Sequence, residues 1–275
     1  MSDTVPVARL RPAPGANASL LAAEIGKGLR IQIAHPIGHV IALLISTMMY
    51  LGLQFVMGQG ELRQNLLPQT LVAISGYWFL QYAGLVMVAD LIEEKRTGTF
   101  AQSLMSPAPP WLLMTGRLLT ASLFGLLVAA SAALVPMLVA GITIPLSWSA
   151  LVPAVLVVAN VLSFTFVLAA VALKSPQIAA VQSLLTSLVL LLNGSFMPLS
   201  LYPDWLAGVA RFLPTTLSLE ATMKVLFDGA SLAEVWSDGV LPWSLAYTVA
   251  LAAAGAALFV RNHRRAVRDG SVGQY

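Results

Sequence analysis

The chain is dominated by long intervals without charge. Lysine, arginine, aspartate and glutamate are absent from 31–60, 64–89, 118–173, 175–203 and 239–260. A helix crosses the hydrocarbon core of a bilayer in about 20 residues, so four of these intervals predict one crossing each. The interval 118–173 is long enough for two crossings, and Gly141 and Pro145 predict the turn between them. The pattern therefore predicts six membrane-spanning helices, near 37–58, 69–90, 118–140, 149–173, 177–197 and 240–260.

Composition supports this interpretation and excludes the usual soluble classes. Apolar residues make up 58% of the 275 residues and charged residues 10%, whereas a soluble domain carries about 25% charged residues. We therefore predict an all-α polytopic membrane protein. The chain has no cysteine, which excludes disulfides, thiolate metal sites and cysteine nucleophiles. The three histidines lack metal-ligand spacing, so no metal site is predicted.

The distribution of basic residues predicts the orientation. With both termini in the cytoplasm, the outer side carries only Arg63, Arg211 and Lys224. The inner side carries Arg9, Arg11, Lys27, Arg30, Lys95, Arg96, Arg117, Lys174, Arg261, Arg264, Arg265 and Arg268. This bias is typical of cytoplasmic loops. The net charge of +3 is therefore explained by basic residues that orient the chain in the membrane. For this reason we expect no nucleic-acid partner.

The two chain ends are predicted to lie in the cytoplasm. Residues 1–18 are rich in proline and alanine, lack a secretory signal and are expected to be a disordered arm. Residues 19–34 predict an amphipathic helix along the inner interface. Its apolar side carries Leu21, Ile25, Leu29 and Ile33, and its polar side Glu24, Lys27 and Arg30. This helix is either a simple membrane anchor or also a contact surface for a cytoplasmic partner. Residues 266–275 form the tail.

Residues 91–117 form the longest predicted cytoplasmic loop. Its first part is dense in charge up to Gly98, which breaks the pattern. A short helix, Thr99–Met105, is then predicted, with threonine as the N-cap, and Ser106-Pro107 ends it. A short helix bounded by glycine and proline is a rigid protrusion, although an ordinary solvated loop also fits this composition.

Residues 198–239 form the longest predicted outer segment. Its first part is apolar and carries Tyr202 and Trp205, which suits short re-entrant helices with aromatic residues at headgroup level. Leu217–Phe227 predicts a further short helix that ends at Asp228-Gly229. In the following span, Ala246, Ala250 and Ala254 are spaced for close helix packing.

The spans contain no ionisable carboxylate, lysine or arginine in their central parts, which disfavours ion-coupled transport. The chain also lacks a Walker A motif, so ATP and Mg²⁺ would bind to another chain. Weakly polar and aromatic residues gather instead in the second and fifth spans. They either form interhelical hydrogen bonds or line a pathway for a large amphiphile. The candidate pathway residues are Tyr77, Trp78, Gln81, Tyr82, Gln182, Thr186, Asn193 and Phe196.

Two groups of residues resemble markers of the type-2 ABC exporter permease family. The first runs Glu94-Lys95-Arg96-Thr97-Gly98-Thr99, then Ser106-Pro107, then Gly116-Arg117. The second comprises Asn193-Gly194, Phe196, Pro198, Tyr202-Pro203-Asp204-Trp205 and Pro214-Thr215-Thr216. The two markers occur in order on a chain with six predicted spans. The resemblance covers residues 20–265.

The resemblance implies a six-helix transmembrane domain over 35–265 in a bacterial inner membrane. It also implies a second permease copy or a similar chain, and one ATP-binding subunit for each permease. The short cytoplasmic helix would be the coupling helix that docks on that subunit. The residues implied in coupling are Glu93, Glu94, Lys95, Arg96, Gly98, Thr99, Phe100, Gln102, Leu104, Ser106 and Pro107. Substrate would move between the two permeases along the second and fifth spans.

The favoured function is export of a hydrophobic or amphiphilic molecule, drug-like or lipid-like, driven by a separate ATPase subunit, with no enzyme activity in this chain. Within the same family, export of a lipid-linked polysaccharide is the alternative. From other classes, a membrane-embedded transferase would need clustered acid, base or metal ligands, for which His35 and His39 are the only hint. A non-transporting scaffold is the remaining alternative.

Overall fold

The computed structural model describes residues 16–34, 36–99, 109–174 and 177–268, and these residues are mostly helical. The helices in this part of the chain are α1 (Ala16–Ile33), α2 (Pro36–Met57), α3 (Leu67–Arg96), α4 (Pro110–Ala140), α5 (Leu151–Ala172), α6 (Ile178–Leu192), α7 (Asp204–Ala210), α8 (Thr216–Phe227), α9 (Leu232–Ser237) and α10 (Val240–Arg268). Short 3₁₀ turns, Trp148–Ala150 and Leu199–Leu201, precede α5 and α7.

Five of these helices are long and apolar enough to cross a membrane, namely α2, α3, α4, α5 with its preceding turn, and α10. The predicted break inside 118–173 is confirmed, because α4 ends at Ala140 and Gly141 takes a left-handed conformation with φ +65°. The predicted fifth span corresponds to α6, which is apolar but has only 15 residues. It ends at Leu192, five residues before the predicted end, and Gly194 follows with φ +94°.

Helix α3 is the centre of the bundle. In its most apolar window, 61% of the residues are buried, against 22% in α2 and in α10. It packs against α4, α5 and α6, and Leu67, Leu71, Leu80 and Leu91 are fully buried along its length. In a membrane, the helices around a central helix face lipid on their outer sides. This explains the exposed apolar side chains of α2 and α10.

Contacts between helix ends define two ends of the bundle. At one end, the Lys95 ammonium donates to the carbonyl oxygens of Ala172 and Leu173, and Asn262 Nδ2 donates to Ala170 O at 2.8 Å. We call this the inner end, since it carries α1 and the last turns of α3, α5 and α10. At the other end, the Tyr50 hydroxyl donates to Leu67 O at 2.7 Å. This outer end carries α7, α8 and α9.

The predicted boundaries at the inner end are partly wrong. Helix α1 begins at Ala16 instead of residue 19, and residues 1–15 lie outside the described part of the chain. Helix α3 continues to Arg96, and α4 begins at Pro110, so 91–96 and 110–117 are helical instead of loop. Glutamate, lysine and arginine are good helix formers, and basic side chains stabilise a helix C-terminus. A helix therefore does not end where its apolar stretch ends.

The outer segment contains the predicted short helix, observed as Thr216–Phe227, which ends before Gly229 at φ +69°. A buried amide holds its first turn. Asn160 of α5 is 2% exposed; its Oδ1 accepts from Thr215 N at 2.9 Å, and its Nδ2 donates to Thr248 Oγ1 at 3.2 Å. Thr215 has φ +74°, a conformation that is strained for threonine. One side chain therefore joins α5, α8 and α10.

Replacement of Asn160 by alanine should destabilise the protein by about 1–3 kcal/mol, because it leaves the buried Thr215 N–H without an acceptor. The measurement is the melting temperature of the purified chain in detergent. Val155→Ala is the matched control, since Val155 lies on the same helix and is 65% exposed. A melting temperature of Asn160→Ala equal to that of Val155→Ala would contradict the proposed role of the amide.

Candidate functional site

The structure brings two of the predicted pathway residues into one cleft. Gln81 on α3 and Gln182 on α6 both line a cavity of about 340 Å³ between these helices. Gly84 permits the close approach, because a Cβ atom there would lie 2.9 Å from Gln182 Nε2. The Gln81 Oε1 atom is buried and has no hydrogen-bond partner among the described residues. One residue of the cleft lining therefore has an amide acceptor that is unused among the described residues.

The lining of this cleft is mostly apolar. Apart from the two glutamines, it consists of Leu85, Val88, Ala89, Ile92, Glu93, Ala179 and Ser183. Glu93 is the single ionisable residue in this lining, and it lies near the inner end of α3. An apolar wall with a few polar groups is typical of a site that binds an uncharged or amphiphilic molecule.

Two predicted aromatic residues lie one turn away, in the core. Tyr77 is 8% exposed, and its ring meets that of Trp78 edge to face, with 5.3 Å between the ring centroids. The Trp78 Nε1 atom is buried without a hydrogen-bond partner in the described part of the chain. Neither side chain is among the residues that line the cleft. In this conformation, both belong to the apolar packing around α3.

Tyr82 points away from the cleft, toward α2. Its hydroxyl lies 2.6 Å from His39 Nδ1, and His39 Nε2 lies 2.9 Å from Gln32 O. Because a carbonyl oxygen only accepts, Nε2 carries the proton and Nδ1 accepts from the tyrosine. The imidazole ring also stacks on Phe124, with 5.6 Å between the centroids. Both nitrogens of His39 are therefore occupied in holding α1, α2 and α3 together. His35, the other histidine of the transferase alternative, lies outside the described residues.

The remaining pathway candidates lie on or after α6. Asn193 is fully buried; its Nδ2 donates to Ala73 O at 3.2 Å, and its Oδ1 accepts from the Ser195 hydroxyl at 2.6 Å. This amide holds the chain against α3 at the point where α6 ends. The Thr186 hydroxyl donates to Gln182 O of its own helix at 2.9 Å. Phe196 is half-buried. None of the three lines the cleft.

The predicted coupling residues divide into exposed and internal ones. Glu93 and Arg96 are exposed, and they form an ion pair of 3.3 Å. Lys95 is bonded to the end of α5, as described above. Gly98 has φ +73° and its N–H donates to Lys95 O at 3.2 Å. The Thr99 hydroxyl lies 2.9 Å from the Thr97 hydroxyl. Phe100, Gln102, Leu104, Ser106 and Pro107 lie outside the described residues.

Glu94 belongs to an inner charge cluster that the sequence did not reveal, formed by Glu24, Lys27, Glu94 and Arg117. Arg117 lies 2.6 Å from Glu94 and 3.2 Å from Glu24, and Lys27 lies 3.6 Å from Glu94. The Arg117 and Glu24 side chains are only 11% and 14% exposed. Glu24, which the sequence places on the polar side of α1, is therefore mostly buried within the bundle. Its carboxylate turns toward α4, because Arg117 lies there.

The cluster borders an inner cleft of about 680 Å³ between α1, α3 and α4. Helix α1 approaches α4 closely at Gly28, where a Cβ atom would lie 2.5 Å from the Thr120 side chain. This glycine is the sequence signal that could have indicated a packed helix instead of one that lies freely on the membrane. Arg117, the last residue of the predicted loop, lies in the second turn of α4.

Comparison with known protein families gives one match. The model of the family described as "ABC-2 type transporter" matches residues 26–227, which is more than half of the chain. The match includes the last eight residues of α1, the cleft between α3 and α6, and the outer segment up to the end of α8. Comparison with curated proteins and with solved structures gives no match.

Replacement of Arg117 by alanine should destabilise the protein by about 3 kcal/mol, since it leaves two mostly buried carboxylates with only Lys27 nearby. The measurement is the melting temperature in detergent. Adding Glu24→Gln to this variant should restore part of the loss. Arg96→Ala is the control and should cost less than about 0.5 kcal/mol, because its ion pair with Glu93 is exposed. Equal effects of Arg117→Ala and Arg96→Ala would contradict the role of the cluster.

Proposed function

We propose an export function from one premise: the chain belongs to the ABC-2 type transporter family and is a membrane permease subunit of an ABC transporter. Membership implies an ABC ATP-binding partner. We propose that the substrate is hydrophobic or amphiphilic, drug-like or lipid-like, and that it leaves the cytoplasm or the inner leaflet. The energy would come from the separate subunit that binds ATP and Mg²⁺. Both termini would lie in the cytoplasm of a bacterial cell.

The observation that carries this proposal is the cleft between α3 and α6. Its lining is apolar with two amides, and Glu93 at the inner end is its single ionisable residue. An amphiphile can leave its apolar part on such a wall while its polar part bonds to Gln81 or Gln182. The cleft lies on the side of this chain, so a second permease, identical or similar, would close it.

We include α6 as a sixth span, although its helix has only 15 residues. Non-helical backbone at membrane depth is tolerated where it is buried in protein. Asn193, Gly194 and Ser195 are all buried directly after α6, and the Asn193 amide bonds to Ser195 and to α3. These residues would complete the crossing without presenting bare polar groups to lipid. Six spans also return both termini to the same side.

Coupling would enter at the inner end through the segment after α3. Gly98 ends α3 with a left-handed conformation, which fixes the direction in which the chain leaves the bundle. A fixed exit direction allows a docked partner to move α3, whereas a flexible tether would absorb the displacement. The exposed Glu93 and Arg96 are the described charges that could pair with a docking surface there.

Replacement of Gln81 or of Gln182 by leucine, in two separate variants, should alter substrate recognition. The chain, co-purified with its ATP-binding subunit and reconstituted in liposomes, would be assayed for ATP hydrolysis stimulated by the lipophilic dye rhodamine 6G. Loss of one amide hydrogen bond should raise the half-stimulating dye concentration about two- to tenfold. Ser187→Ala is the control, because Ser187 is exposed, bonds to its own helix and does not line the cleft. If both glutamine variants behave like the control, the pathway lies elsewhere.

Replacement of Gly98 by proline should uncouple ATP hydrolysis from transport. Proline fixes φ near −65° and lacks the N–H. It therefore cannot adopt the left-handed conformation and cannot donate the hydrogen bond to Lys95 O. We expect ATP-dependent dye uptake by inverted vesicles to fall at least about tenfold at normal expression, the factor that about 1.4 kcal/mol produces.

Gly141→Pro is the matched control for this variant. Gly141 also has a positive φ, +65°, and its N–H also bonds to the preceding helix, but it lies at the outer end. It should cause similar strain and leave coupling intact. Normal dye uptake by Gly98→Pro, or equal losses in both variants, would contradict a coupling role for the segment after α3.

A further inference from the structure

A large groove at the outer end lies away from the cleft between α3 and α6. It has a volume of about 910 Å³ and runs between α7, α8 and the first turns of α10. This volume is within the range of about 300–1,000 Å³ that is usual for ligand sites. Its apolar residues include Phe212, Leu217, Trp243, Ala246, Tyr247 and Ala250. The proposed transport function makes no use of this groove.

The apolar part of the groove follows α10 away from the outer end. Ala246 and Ala250 are exposed, so the close helix packing that their spacing predicts does not occur within this chain. Their small side chains leave a channel beside Trp243, which is 71% exposed. The Tyr247 hydroxyl donates to Phe212 O at 2.9 Å and fixes the outer segment to α10. This bond links the two walls of the channel.

Aromatic residues place the mouth of the groove at headgroup level. Trp148, Trp205, Trp236 and Trp243 are all at least half exposed at the outer end of the bundle. Exposed tryptophans gather at the membrane–water interface. The channel beside Ala246 and Ala250 then extends from the interface toward the hydrocarbon, which is the direction that an acyl chain takes.

The mouth carries two ion pairs, each formed by one basic and one acidic residue. Arg211 binds both carboxylate oxygens of Glu220, at 3.0 and 2.8 Å, and Lys224 binds Asp238 at 2.8 Å. Arg211, Lys224 and Asp238 line the groove itself. The hydrogen bonds to Glu220 raise the pKa of Arg211. A guanidinium has five N–H donors and an ammonium three, so each cation keeps donors beyond those used in its ion pair.

We propose that this groove is a resident binding site for a phospholipid whose headgroup carries both a phosphate and a primary ammonium, as phosphatidylethanolamine does. The phosphate accepts hydrogen bonds from Arg211 and Lys224, and the ammonium donates to Asp238. One acyl chain lies along Ala246 and Ala250 beside Trp243. The four charges at the mouth sum to zero, which matches a zwitterionic headgroup.

The charges also favour this headgroup over the other common ones. An anionic phospholipid supplies no cation for Asp238, and its phosphate would meet two carboxylates as well as two cations. A choline headgroup is zwitterionic but has no N–H to donate to the carboxylate. The Asp238 side chain is 55% exposed and stays paired with Lys224, so a hydrogen bond from the lipid is an additional one. Charge-assisted hydrogen bonds are stronger than neutral ones, so a headgroup that can donate to Asp238 should bind more tightly than one that cannot.

Quenching of tryptophan fluorescence by brominated acyl chains tests the proposal on the full chain in detergent micelles. The probes are phosphatidylethanolamine, phosphatidylcholine and phosphatidylglycerol with the same dibrominated chains. The contribution of Trp243 is the difference between the wild type and Trp243→Phe. The contribution of Trp205, obtained from Trp205→Phe, is the matched reference, because Trp205 is equally exposed at 71% but does not line the groove.

Quenching of Trp243 should saturate at a low mole fraction of the brominated phosphatidylethanolamine. The other two lipids should need about tenfold more, since a charge-assisted hydrogen bond is lost with each. Quenching of Trp205 should rise in proportion to lipid and show no preference. Quenching of Trp243 that is proportional to lipid, or equal for the three headgroups, would overturn the proposal.

Two variants test the two parts of the site separately. Asp238→Asn should abolish the preference for phosphatidylethanolamine over phosphatidylcholine. Ala250→Phe should shift the saturation of Trp243 quenching to about tenfold more lipid, because the larger side chain fills the channel. Ala250 is exposed, so this variant should fold even if the charge variant does not. Unchanged titrations in variants with normal melting temperatures would overturn the proposal.

Discussion

Polar groups inside a bilayer must find their partners within the protein, and this constraint organises the whole bundle. A few long polar side chains meet it near the two ends of the helices. Asn160 and Asn193 join separate elements at the outer end, and Lys95 and Asn262 do the same at the inner end. Between the two ends, apolar side chains fill the space around α3, and their contacts, unlike hydrogen bonds, are not directional. Specific bonds therefore set which helices are neighbours, and the apolar packing sets how closely they lie.

The inner charge cluster extends this principle to the interface. Arg117 holds carboxylates from α1 and α3 while it belongs to α4. An amphipathic helix that only floated on the membrane would keep its charges in water. Here the Glu24 carboxylate of α1 pairs with Arg117 of α4, so α1, α3 and α4 form one unit at the inner end. The residues after α3 leave this unit at Gly98, which is where a docked subunit would act.

Much of the fold could be predicted from the sequence, because the distribution of charge is a strong signal in a membrane protein. Five of the predicted spans follow from it, and glycine marks the break at Gly141 and the end of the helix before Gly229. The individual roles of polar residues did not follow. Gln81 and Tyr82 are adjacent in sequence but face different helices, α6 and α2, and the polarity of a residue does not indicate which neighbour it faces. Asn160 was missed, since its partners are 55 and 88 residues away.

The length of α3 has a mechanical consequence. Its 30 residues make a rod of about 45 Å, which exceeds the hydrocarbon thickness of about 30 Å. Arg96 lies at the inner tip of this rod and Leu67 at the other, with Gln81 near the midpoint. A rigid rod that tilts about its inner tip moves Leu67 about twice as far as Gln81. The central helix is thus geometrically a lever, in which a small rotation at the inner end becomes a larger displacement at the outer end.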